Sequence, residues 1–348
     1  MKVVIDDKIP FIKGVLEDVA QVKYLSSELI TAEAVRDADA LIIRTRTKCN
    51  EKLLESSSVQ FIATATIGYD HIDEAYCKER GITWVSSPGC NANSVAQYVA
   101  SALVSLYGDE VRDMKIGLVG VGNVGKAVSA ICKRMGMTVL HNDPPRAKRE
   151  GVAGFSSLQE ICRECDIISF HTLLSKEGEY KTYHMADDNF FANVKHGITL
   201  INAARGEVVD TFALKSAIRE RKIGKCVLDC WENEPNIDLE LLKLVDIATP
   251  HIAGYSADGK ANATTQCVQA ISRFFNLGLD HWRVEDLPDV DNKGECNTLT
   301  EAIKSSYDIL SDDKLLRVNP KNFEKIRGGY PIRREVDYFL SPLVNNLY

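Results

Sequence analysis

Short apolar runs alternate with longer amphipathic stretches along most of this chain, and the alternation predicts its architecture. Residues 3–5, 40–43, 61–64 and 83–85 read as strands, each too short for a helix and bounded by polar or turn-forming residues. A second series opens at residues 115–119 and continues through 138–140, 166–170, 198–201, 225–228 and 246–248, with room for a helix between most neighbours. Strands that alternate with helices make crossover connections, so both series predict doubly wound parallel sheets in an α/β protein. Residues 94–106 are a strong helix candidate, with Asn93 or Ser94 as the cap. Residues 261–277 are another, with apolar Val268, Ile271, Phe274 and Phe275, placed to return the chain to a discontinuous first domain. The pattern weakens after residue 285. Residues 287–295 read as a polar linker, and residues 298–310 as one helix with Thr298 and Glu301 at capping-box spacing. Residues 323–347 mix charge with Tyr330, Tyr338 and Phe339, in a tail too small for an independent core, so it is expected to pack on the body or on a partner.

Composition narrows the function classes. The chain has 348 residues, 45% of them hydrophobic, enough for about two domains with sizeable cores. Its net charge of −7 gives no bulk reason to bind nucleic acid or an anionic membrane. Acidic Asp6 and Asp7 interrupt the first apolar stretch, where a signal peptide would continue it. The ten cysteines are scattered rather than arrayed as a disulfide framework, so reduced thiols in a cytoplasm are expected. Cys162 and Cys165 form a Cys-x-x-Cys within a helical-looking stretch, without the second pair or histidine a zinc site needs, and no metal is expected.

Candidate chemistry gathers where the second series of runs ends. Gly120-Val121-Gly122-Asn123-Val124-Gly125 follows a strand candidate and opens a helix candidate. The glycines allow a tight turn, close approach to a pyrophosphate and close helix–strand packing, and the helix amino end offers free amides. Asp143 stands 18 residues beyond Gly125, placed to accept from ribose hydroxyls and to repel a 2′-phosphate, which favours NAD. Arg146, Lys148 and Arg149 follow closely and could tolerate that phosphate. Farther on, Arg205, the Asp229–Pro235 string and His251 each follow a strand candidate. Parallel strands would bring them to one crevice. Arg205 could grip a carboxylate bidentately, and His251 could move a hydroxyl proton, oriented by Glu234 or by Glu232. Arg44, Arg46 and Lys48 recur at period two after residues 40–43, so an extended chain would put them on one side, making Arg44 and Lys48 candidates for a phosphate.

The order Gly-x-Gly-x-x-Gly, Asn-x-x-Arg-Gly, Asp-x-Trp-x-x-Glu-Pro, His-Ile-Ala-Gly resembles the D-isomer-specific 2-hydroxyacid dehydrogenases over about residues 1–280. The resemblance implies two Rossmann-like domains: residues 1–93 with 254–284 for substrate, and 94–253 for NAD. Residues 285–348 resemble a small α+β dimerisation domain, which implies a homodimer. Arg205, Glu234 and His251 are then the implied catalytic group, with His251 as proton donor or acceptor. Implied NAD contacts, beyond Gly120, Gly122 and Gly125, are Asn123, Val124, Asp143, Thr172, Ala203, Ala204, Arg205, Asp229 and Gly254. Thr45, Thr66 and Tyr255 are implied substrate contacts, and the expected substrate is a small anionic phosphorylated 2-hydroxy acid. Leu173 departs from the family, which usually carries proline there. Alternatives are oxidation of 3-phosphoglycerate, glycerate or a similar acid, or an NAD-sensing corepressor-type scaffold.

Overall fold

The computed structural model describes residues 1–290, 296–331 and 333–341. Part of the expected linker (residues 291–295), Ile332 and the end of the tail (342–348) lie outside the described residues. The chain divides into two compact units, Met1–Asn91 with Ser256–Asp289, and Ala92–Tyr255 with Val290–Tyr348.

The first unit is built on five parallel strands: β1 (Lys2–Asp6), β2 (Gln21–Leu25), β3 (Ala40–Ile43), β4 (Phe61–Thr64) and β5 (Thr83–Val85). Their order is β2-β1-β3-β4-β5. Strand periodicity splits the side chains between two faces. Val3, Ile5, Ala40, Ile42 and Phe61 pack with Cys267, Val268 and Ile271 of the helix Ala257–Phe275. Val4, Leu41, Ile43 and Ile62 pack with Leu54, Val59 and Cys77 on the other face. Coverage on both faces explains the continuous apolar runs. The pattern did not predict β2: Gln-Val-Lys-Tyr-Leu lies at the sheet edge, where no residue is fully buried and the apolar signal is diluted.

Six parallel strands form the second unit: β6 (Lys115–Val119), β7 (Thr138–Asn142), β8 (Ile167–Phe170), β9 (Ile198–Asn202), β10 (Ile223–Leu228) and β11 (Ile247–Ala248). They run in the order β11-β10-β9-β8-β6-β7. The helix Ala92–Tyr107 buries Tyr98, Val99 and Leu103 in the same core as Ile116, Leu118 and Val227. All ten cysteines are buried thiols, none of them in a disulfide.

Among the described residues, the C-terminal segment is three α-helices, Leu299–Ser306, Ile309–Val318 and Phe323–Gly328, and two short 3-10 turns, with a lone strand bridge between Cys296 and Leu340. The expected Thr298–Glu301 capping box is present. The single helix expected over residues 298–310 is instead two. Tyr307 is extended, and the Asp308 carboxylate caps a new helix by accepting from the Leu310 and Ser311 amides. Ala302 and Ile303 enter one core cluster of the unit, Leu316 and Phe323 the other. Asp313 accepts the amide of Ala248 at 2.7 Å, which gives a polar partner to the edge strand β11.

Candidate active site

Ladder pairing aligns Asn142, Val119, Phe170, Asn202, Leu228 and Ala248 across the second sheet. The next residue of each strand therefore falls on one carboxyl edge: Asp143, Gly120, His171, Ala203, Asp229 and Thr249. The chain runs from β6 outward to β7, then back past β6 to β8, so strand order reverses between β6 and β8. A crevice at such a reversal is where open α/β sheets bind ligands.

At that reversal the glycine turn has the shape a dinucleotide needs. Gly120 has φ +89, and a Cβ there would lie 2.7 Å from the His171 carbonyl carbon. A Cβ on Gly125 would lie 2.2 Å from the Gly120 oxygen, so the helix Asn123–Arg134 sits tight on the loop. Gly122, its N-cap, has no protein atom within 4 Å of where a side chain would stand, and the helix end has no side-chain cap. Thr172 Oγ1 beside the loop is buried without a partner. Open amides and an unspent hydroxyl suit a pyrophosphate, so the residues fit NAD. Asp143 caps the helix Pro144–Glu150 through Arg146 N–H and also accepts the Val121 amide at 2.9 Å. A carboxylate so placed keeps lone pairs for ribose hydroxyls. Arg146 is committed to Glu150 and to the Val121 carbonyl, and Lys148 to Glu179. Those engagements weaken the case for a 2′-phosphate site. His171 is partly buried, and burial pushes its pKa down to about 3, so it sits neutral beneath the loop.

Charged groups occupy the other end of the edge. Asp229 is fully buried, and its carboxylate accepts from Thr249 Oγ1 (2.7 Å) and from the Ile252 and Ala253 amides (2.8 and 2.9 Å). Its carbonyl takes the His251 amide at 2.8 Å. Asp229 thus shapes the histidine loop, in which His251 itself adopts φ +55. His251 Nδ1 meets Glu234 Oε1 at 2.5 Å. Burial works to raise the Glu234 pKa, but the His251 hydrogen bond, the charges of His251 and Arg327, and the Trp231 amide outweigh it and hold the carboxyl below its usual value. Glu232, the other candidate, faces elsewhere: it binds His184 Nε2 at 2.6 Å and the Thr211 amide at 3.1 Å. The choice between the two carboxylates is therefore Glu234. Arg205 follows β9, and the next residue, Gly206, packs so closely on Trp231 that a Cβ would lie 2.0 Å from its carbonyl. Asp229, Glu234, Arg205 and Arg327 all lie near enough to act on the buried Cys230 thiol, whose pKa burial drives well above its usual value.

The C-terminal segment contributes two residues that the sequence pattern did not single out. Arg327 Nη1 lies 3.9 Å from Glu234 Oε1, and Arg327 also hydrogen-bonds Tyr255. Arg333 is buried and donates to the Ala253 carbonyl at 2.8 Å, with its guanidinium 4.2 Å from the Tyr307 ring centroid. Tyr307 and Tyr330 both donate to Asp312 at 2.8 Å, completing a polar brace under the histidine loop. The sequence signal was a tail mixing charge with aromatic residues.

In the first unit, Arg44 and Thr45 follow β3, and Thr66 follows β4. Thr66 bonds Thr64 and donates to the Gly68 carbonyl at 2.9 Å; Thr45 and Lys48 are exposed. The period-two argument for Arg44, Arg46 and Lys48 does not hold. The Thr47 amide bonds back to the Arg44 carbonyl at 3.1 Å, so the chain turns instead of extending, and strand alternation does not apply. Arg44 pairs with the buried Asp6 carboxylate at 3.0 Å.

Among the described residues, no helix is long and apolar enough to cross a membrane. Residues 92–253 match the model of the D-isomer specific 2-hydroxyacid dehydrogenase, NAD binding domain. An erythronate-4-phosphate dehydrogenase of Bacteroides fragilis is 52% identical over 340 residues, covering 96% of this chain and 97% of that protein. One from Escherichia coli is 41% identical over 350 residues, with 96% and 92% covered. Among solved structures, the D-lactate dehydrogenase of Aquifex aeolicus, complexed with NAD and lactic acid, has a TM-score of 0.66 at 26% identity, covering 80% of this chain and 97% of that one. An NAD-bound 3-phosphoglycerate dehydrogenase of Entamoeba histolytica has a TM-score of 0.67 at 25% identity, with 83% and 99% covered. With this match along nearly its whole length, the chain belongs to the D-isomer specific 2-hydroxyacid dehydrogenases, an NAD-dependent oxidoreductase family that includes those erythronate-4-phosphate dehydrogenases.

Proposed function

We propose that the chain oxidises 4-phospho-D-erythronate to 3-hydroxy-2-oxo-4-phosphooxybutanoate with NAD, a step of pyridoxal 5′-phosphate (vitamin B6) synthesis. The supporting observation is the His251–Glu234 contact of 2.5 Å on the same sheet edge as Arg205 and the glycine turn. Bound there, NAD would supply the acceptor for the hydride that leaves the alcohol carbon. Gly120, Gly122, Asn123, Val124, Gly125, Asp143, Thr172, Ala203, Ala204, Asp229 and Gly254 would hold it. His251 takes the hydroxyl proton at Nε2, because Nδ1 is engaged by Glu234. Glu234 fixes the ring orientation and balances the imidazolium that forms. Arg205 holds the substrate carboxylate and the carbonyl oxygen that develops beside it. Tyr255 contacts the substrate, and Thr45 and Thr66 are the first unit's candidates for it.

The domain roles follow the same reading: residues 1–93 with 254–284 for substrate, 94–253 for NAD, and 285–348 for homodimerisation, in a cytoplasmic enzyme. The test is a panel of phosphorylated and unphosphorylated 2-hydroxy acids, including 3-phosphoglycerate and glycerate, followed by nicotinamide absorbance. Highest kcat/KM with 4-phosphoerythronate is expected. Preference for another acid rejects the substrate assignment. NADH binding without turnover of any acid would turn the reading toward a scaffold.

A further inference from the structure

The C-terminal segment places a cation beside the catalytic pair, and its donors are poorly spent. Arg327 is carried by the short helix Phe323–Gly328, and its side chain is 27% exposed. Neither carboxylate near it makes a close pair: Glu234 stands at 3.9 Å and Glu324 at 3.6 Å. Its Nε is buried with no partner. A guanidinium has five donors in a planar fork, and leaving them unmade away from water is costly unless an acceptor arrives. The oxygen of Glu234 nearest Arg327 is the one bonded to His251, so an anion on Arg327 would sit one carboxylate away from the imidazole.

We propose that Arg327, assisted by Tyr255, is the substrate-phosphate ligand of this enzyme, so that the C-terminal segment sets specificity for a phosphorylated acid. The inference rests on the oxidation reading above and deepens it. A carboxylate on Arg205 and a phosphate on Arg327 would flank the alcohol that faces His251. A phosphate two carbons from that alcohol has the reach to bridge them, whereas a short unphosphorylated acid leaves the Arg327 Nε without an acceptor. Arg44 is the weaker candidate, since Asp6 already neutralises it at 3.0 Å.

The experiment compares the native enzyme with Arg327→Gln and Glu324→Gln. The kcat/KM ratio of 4-phosphoerythronate to erythronate should fall by roughly 10- to 100-fold in Arg327→Gln, the worth of a charge-assisted hydrogen-bonded pair. The Kd of inorganic phosphate for the enzyme–NADH complex, read by NADH fluorescence, should rise by a similar factor. Glu324→Gln, on an exposed position away from the core, should tighten phosphate by about 2-fold, because a competing anion is gone. A similar loss with both acids, together with an unchanged phosphate Kd, would show that Arg327 acts through Glu234 and overturn the proposal. If the native enzyme refuses the phosphorylated acid, the oxidation reading fails. Weakened phosphate binding in Arg327→Gln would still uphold the ligand, and equal binding would overturn it.

Discussion

The two ends of the second sheet's carboxyl edge build their halves of the site in opposite ways. Beside β6, β7 and β8 the protein withholds side chains: glycines at 120, 122 and 125, open amides, and the unspent Thr172 hydroxyl. Beside β9, β10 and β11 it adds charges and ties down those around the histidine loop. Asp229 accepts three donors, Glu234 grips His251, and Arg333 braces the Ala253 carbonyl. Backbone strain follows the second strategy, with His251 and Asn233 both at positive φ near 60. Such positions persist only where the surroundings over-determine them, at about 1–3 kcal/mol each. The contrast teaches that a half binding the cofactor through its backbone can be made by leaving room. A half that moves a proton needs fixed side chains and therefore a supporting network.

The largest expected effect lies in the second half. His251→Gln should lower turnover by about 10²- to 10⁴-fold, the usual worth of general acid–base assistance, while NADH affinity stays close to native. A change in NADH affinity as large as the change in turnover would break the division. Gly122→Val probes the first half. The backbone there has φ −71 and an open neighbourhood, so the variant should fold with a native Tm. Its side chain would occupy the cradle, and NADH Kd should rise at least about tenfold. Normal NADH binding in that variant would mean the space is not the cofactor's. Asp229→Asn should come next. One amide N–H would face the Ala253 or Ile252 N–H, costing about 1–3 kcal/mol in urea unfolding. Turnover should fall with it because the histidine loop loses its anchor.

The same division explains what the chain disclosed before its structure. The glycine half was readable because it depends on local spacing: strand, turn, helix, then Asp143 on the next strand. The strings that carry Arg205, the two glutamates and His251 were readable for a related reason, since parallel strands bring three sequence strings to one edge, but which glutamate meets His251 was not. What escaped detection depends on distant packing. β2 was hidden by half-exposure at an edge, and the turn at Arg44–Thr47 gave no apolar signal against extension. Arg327 lies 93 residues from Glu234 and Arg333 80 residues from Ala253, in a segment whose pattern resembled an ordinary charged tail. No periodicity links an arginine there to a carbonyl of the histidine loop.

The smallest effects separate the two glutamates, which the sequence left as alternatives. Glu232→Gln should leave kcat within about 2-fold, because its partners are His184 and the Thr211 amide; a slightly lower Tm is the expected cost. Glu234→Gln should lower kcat by more, since the imidazolium formed on His251 loses its counter-charge. The pH dependence of stability distinguishes them independently. The folded pKa of Glu234 lies below its ordinary value of 4.5. A carboxyl depressed on folding binds fewer protons than in the unfolded chain, so its stabilisation is complete above pH 4.5 and is lost as pH falls through the lower folded value. Between pH 6 and that range the native protein and Glu234→Gln should differ by a constant offset, and below about pH 4.5 the offset should shrink. An offset that does not move with acid would mean that the Glu234 charge is not what holds His251, and the tie between supporting network and proton chemistry would fail at its central contact.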